Sequence, residues 1–105
     1  MGWAAHAIAQ LQAGESAVIR PRGHSMSGKV EDSDTVHVEP LGARVLQPDD
    51  IVLCKVRGRQ YLHLIKAVRR TPYLIGNNRS GTNGWISRAS IYGIATQIGG
   101  RQTHR

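Results

Sequence analysis

One serine in this chain sits where a nucleophile would. The run Arg20-Pro21-Arg22-Gly23-His24-Ser25-Met26-Ser27-Gly28 places Ser25 between Gly23 and Gly28, directly after the apolar Ala17-Val18-Ile19. A strand followed by a glycine-relieved turn can hold a hydroxyl outside the core, with backbone N–H groups bared beside it. An exposed Oγ next to such donors suits acyl transfer: the oxygen attacks a carbonyl carbon, and the donors stabilise the oxyanion that forms. The N–H groups of Ser25 and Met26 are the candidate donors. The competing reading is an ordinary turn, since Ser and Gly are what turns use. Cys54, the single cysteine, lies in the apolar run Ile51-Val52-Leu53-Cys54 and reads as a small buried residue rather than a reactive thiol. No Cys/His cluster has metal-ligand spacing, so no cofactor is expected.

The elements that must position Ser25 belong to one modest domain of 105 residues. Phe is absent, so the core must rest on Val, Ile, Leu and Ala, with Trp3, Trp85 and the tyrosines. No apolar run reaches transmembrane length, and the N-terminus lacks the basic and apolar regions of a secretory signal. A cytoplasmic protein without membrane attachment is therefore expected. The net charge of +7 is unevenly placed: all 7 acids precede Ile51, and only Lys and Arg follow. The second half could present a basic face to nucleic acid, or be merely a solvated surface.

Residues 3–13 predict a short helix, with Trp3, Ala7, Ile8 and Leu11 on one face and Gly14 as its stop. Ala17–Arg20 reads as a strand leading into the serine turn. Thr35-Val36-His37-Val38-Glu39 alternates like a half-buried strand and ends at Pro40. Ile51–Val56 reads as a central strand, Arg57-Gly58-Arg59 as a hairpin turn, and Tyr61–Val68 as the partner strand. Tyr73-Leu74-Ile75 is a short strand, followed by an Asn/Gly loop over 76–84, after which Trp85 and Ile86 pack back onto the core. Ile91–Ile98 is the last strand, and 99–105 reads as a disordered tail. The fold class is mainly β with a short N-terminal helix (1–14).

Three blocks stand in order: Gly23-His24-Ser25-Met26; Gln47-Pro48-Asp49-Asp50-Ile51-Val52; and Tyr61–Val68 followed by Ile75-Gly76-Asn77-Asn78-Arg79. Together they resemble the S24/S26 serine peptidase superfamily, which includes LexA-type self-cleaving repressors and signal peptidases. That superfamily shows a G-x-S-M box, a G-D-I/V-V strand, a strand bearing Lys or His, a G-D-N or P-E-N loop and a closing I-x-G, here Ile91-Tyr92-Gly93. The resemblance covers about residues 16–98. It implies the LexA C-terminal-domain or signal-peptidase-like β fold, a nucleophile at Ser25, and a base on the Tyr61–Val68 strand.

Two residues there are candidates. Side chains alternate along a strand, so His63 and Lys66 point to opposite faces and only one readily addresses Ser25. Counted back from Gly76-Asn77-Asn78, His63 falls where LexA-like proteins carry their lysine, and Leu62-His63-Leu64-Ile65-Lys66 is similar to the histidine-bearing strand of endoplasmic-reticulum-type signal peptidases. The other alignment sets Ile65-Lys66-Ala67-Val68 on the bacterial signal-peptidase lysine strand, with Ala67 in place of an arginine. An imidazole accepts a proton near neutral pH unaided. A lysine must first be desolvated, and Lys66 is expected to share a face with Leu62, Leu64 and Val68.

The chain departs from the family in having no acid after Asp50. The family's loop aspartate is Asn77 here, so only Asn77, Asn78 or Asn83 could orient His63. An amide fixes a tautomer but adds no charge. The expectation is a serine peptidase cutting an extended peptide with a Ser-His or Ser-Lys dyad. The alternative is a weakly active or inactive peptidase-fold binding module, such as a nucleic-acid-associated or phage or mobile-element regulator. A homo-oligomer stays open.

Overall fold

The computed structural model describes residues 3–21, 26, 29–31, 34–69, 72–78 and 81–102. The fold is mainly β, with one short N-terminal helix, α1 (Ala5–Gln12). The strands are β1 (Ala17–Ile19), β2 (Val36–Glu39), β3 (Ile51–Val56), β4 (Arg59–Val68), β5 (Tyr73–Gly76), β6 (Thr82–Ile86), β7 (Ile91–Ile98) and β8 (Arg101–Gln102). They form one antiparallel sheet in the order β1-β2-β7-β3-β4-β5-β6, with β8 paired to β7.

β3 lies in the middle because nearly every position along it is apolar, and both of its faces are covered. Ile51 and Leu53 join a cluster under α1 with Val36, Val38, Leu62 and Leu64. Val52, Cys54 and Val56 point the other way, into a second cluster with Ile65, Tyr73, Ile75 and Ile94. A strand buried on both faces reads as a continuous apolar run rather than an alternating one. Cys54 is fully buried, and burial pushes its thiol up to about 12, so it is inert at neutral pH.

The second cluster is enclosed because the sheet curls. Register shifts occur at β2–β7, β3–β7, β4–β5 and β5–β6. Each extra residue bends its strand and tightens the local twist. The bending carries β6 round to β3: a Cβ added at Gly84 would lie 3.6 Å from Val56 Cγ1.

Three expectations need correction. Trp3 does not share the buried helix face; α1 begins at Ala5, and Trp3 is 53 % exposed. Thr82–Ile86 is a strand rather than part of a loop, with Ile86 buried and Trp85 exposed, under the guanidinium of Arg69 at 4.8 Å from its ring centroid. Residues 99–102 are not a free tail: Gly99 and Gly100 adopt positive φ (55 and 89°) and turn the chain into β8. Residues 103–105 lie outside the described residues.

Gly93 shows why the closing strand carries glycine. A Cβ there would sit 2.7 Å from both the Glu39 carbonyl oxygen and Val38 Cγ1, and 3.1 Å from Leu11 Cδ1. The backbone atom cannot yield as a side chain would. Gly93→Ala is expected to cost about 1–3 kcal/mol of stability in urea unfolding, the range for overfilled cores. An unchanged midpoint would show that α1 and β2 do not meet β7 this closely.

Candidate active site

The site grows from a mismatch in strand length. β4 runs from Arg59 to Val68, but β5 covers only its second half, from Leu64 paired with Gly76 to Val68 paired with Tyr73. The first half of β4 has β3 on one side and, among the described residues, an open edge on the other. A cavity of about 710 Å³ lies along that edge, with Gln60, Tyr61, Leu62 and His63 on one side of it. Trp3, helix α1, the outermost strand β1 with the two residues after it, Met26, Val30 and Glu31 line the rest. Consecutive residues of β4 reach it because it runs past the strand's edge and so meets side chains from both faces.

His63 is the one buried polar or charged side chain among the described residues, at 7 % exposure. It pairs across the strand with Val52 and so faces the second cluster. Its Nδ1 lies 2.7 Å from Asn83 Oδ1. Facing an amide oxygen, Nδ1 carries the proton and donates it, which leaves the lone pair on Nε2. Tyr61, two residues back and therefore on the same face, packs its ring 4.8 Å from the imidazole. Burial lowers the His63 pKa below its usual 6.5, and the bond to Asn83 opposes that shift by favouring the charged ring. The ring is therefore neutral at pH 7.

Asn83 reaches His63 through a bulge. Thr82 pairs with Gly76 and Gly84 with Ile75, so Asn83 is the extra residue between them. Lys66 occupies the corresponding place on the other side of β5: Ile65 pairs with Ile75 and Ala67 with Leu74. The Lys66 bulge corrects one expectation. Val68 lies with the second cluster, on the face opposite Leu62 and Leu64, because the extra residue reverses the alternation beyond it. Lys66 itself lies against Gly76, where a Cβ would come within 2.9 Å of its Cγ and Cε. It is not among the residues lining the cleft.

The remaining candidates separate as follows. Ser25 lies outside the described residues. Met26, next to it, is buried in the first cluster and lines the same cleft as His63. Asn77 closes the β5–β6 turn: its N–H donates to the Gly81 carbonyl, and the Gly81 N–H donates to its Oδ1, each at 3.1 Å. Asn78 is half-buried in that turn. Of the three asparagines, Asn83 is the one in contact with His63. Tyr61 and Trp3 also line the cleft, though neither is a candidate on sequence alone. Strand alternation could have flagged Tyr61, but nothing in the sequence marks Trp3.

No protein-family model matches the chain, and no curated protein or solved structure matches it.

The lowered His63 pKa makes stability depend on pH. Below about 6.5 the unfolded chain binds a proton that the folded ring resists, so stability is present above 6.5 and lost as pH falls through the folded value. Urea unfolding between pH 7.5 and 5.5 should show wild type losing stability on acidification more steeply than His63→Gln. The difference in slope approaches ~1.4 kcal/mol per pH unit at most. Parallel slopes would show that the ring titrates alike in both states.

Proposed function

We propose that this chain is a serine peptidase of the S24/S26 kind, cutting an extended peptide with a Ser25–His63 dyad. The observation that carries the reading is that His63 and Met26, the residue after Ser25, line one cleft at an open strand edge. A strand edge offers main-chain donors and acceptors in the pattern that an extended peptide matches.

In this reading Ser25 Oγ attacks the scissile carbonyl carbon as His63 Nε2 takes its proton. The N–H groups of Ser25 and Met26 receive the oxyanion. The imidazolium then returns the proton to the leaving amine, and the C–N bond breaks to give an acyl-serine. Water, activated by the same Nε2, hydrolyses that ester and restores the serine. Asn83 holds the ring in the tautomer this needs. As a neutral amide it stabilises the imidazolium less than a carboxylate would, so turnover is slow. Lys66 is not among the residues lining the cleft, which favours His63 over it as the base.

Asn83 also favours a second reading, in which the same edge holds a peptide without cutting it. A fluorophosphonate probe distinguishes the two. Labelling is expected in wild type and lost in Ser25→Ala. It should fall about 10²–10⁴-fold in His63→Ala, the usual contribution of a general base, and stay within a few-fold in Lys66→Met. Asn83→Asp is expected to speed labelling at pH 7. Labelling that survives Ser25→Ala overturns the dyad, and peptide binding with no labelling at all favours the second reading.

A further inference from the structure

The open edge of β4 does not stay open to its end. The turn at Arg57-Gly58 makes Val56 and Arg59 a bonded pair, so bonded pairs recur at Cys54–Tyr61 and Val52–His63. The pattern continues at Ile65, whose N–H donates to the Asp50 carbonyl at 2.9 Å. The main-chain groups of the alternate residues, Gln60 and Leu62, therefore point away from β3, toward the cleft. Those of Leu62 have no partner across the edge among the described residues. The Gln60 carbonyl does: Trp3 donates its Nε1–H to it at 3.3 Å, and the Gln60 side chain ties down the same segment, its Oε1 accepting from the Ala4 N–H at 3.2 Å.

The geometry points to Trp3 as the end wall of the cleft, a specificity-determining residue that limits how many residues of a bound peptide the edge of β4 can hold. The inference rests on the peptide-binding part of the reading above and not on the cut itself. An extended peptide paired at Leu62 advances about 3.3 Å per residue. Running toward the hairpin tip, it meets the indole after about two residues, where the carbonyl it would next use already has a donor. The wall is held from behind, because Ala4 is buried in the first cluster while the indole is 53 % exposed at the cleft's rim. Beyond the indole the edge itself continues to Arg59, so removing the ring restores a usable acceptor rather than only empty space.

The test uses the full chain carrying Ser25→Ala, which separates binding from turnover. Fluorescein-labelled alanine–valine peptides are lengthened one residue at a time, from each end separately, and affinity is read by anisotropy. With Trp3 present, affinity should stop rising from one end after about two residues. With Trp3→Ala it should keep rising, by about tenfold over two further residues, each new main-chain bond adding a few-fold. Trp3→Phe, which keeps a ring but lacks the N–H, should lie between. Trp85→Ala, at the exposed Trp on β6, should match the parent. The same length dependence with and without the indole, or no binding at any length, overturns the inference. Length-limited binding without Ser25 labelling in wild type removes the peptidase reading and leaves the wall standing.

Discussion

Burial takes water away from the His63 ring, and the ring must then find its polar partners inside the protein. Asn83 Oδ1 is one, at 2.7 Å from Nδ1. A buried imidazole left without such a bond would lose the full cost of its desolvation. With the bond, the proton is placed on one nitrogen and the lone pair on the other. Desolvation outweighs the opposing pull of the amide, so the ring is neutral where a base must be neutral. Asn83 thus serves both as support for the ring and as its tautomer lock.

The surrounding architecture makes that contact possible. Two bulges flank β5, one at Lys66 and one at Asn83, and both occur where strands are being bent round the second cluster. The bend brings β6 toward β3 and sets the amide over the imidazole. The early end of β5 leaves β4 uncovered beside His63. A single geometric strategy, a short curled sheet with uneven strands, therefore supplies a buried imidazole and an accessible edge next to each other.

Much of this was legible in the residues. Continuous apolar character marks β3 as central, and the structure covers both of its faces. Asn83 was one of three candidates, which sequence could not rank because the ranking depends on a bulge. One extra residue in a strand changes neither composition nor local hydropathy. For the same reason the face of Val68 is not legible in the sequence: the reversal begins at Lys66, and Leu62 to Val68 looks like unbroken strand. β6 was hidden by Asn and Gly, which ordinarily signal loops but here form the bulged strand. The spacing of Trp3 fits the buried helix face, yet its ring is exposed. Its actual anchor, Gln60, is 57 residues away, and no local pattern encodes such a contact.

An amide, that of Asn83, orients the imidazole. That makes the state of the ring the quantity on which the site's chemistry depends. The most direct measurement is long-range ¹H–¹⁵N NMR of the His63 side chain across pH. The account predicts a neutral ring at pH 7 with the proton on Nδ1 and an unprotonated Nε2, titrating below 6.5. A ring protonated on Nε2, or one already charged at pH 7, would contradict it.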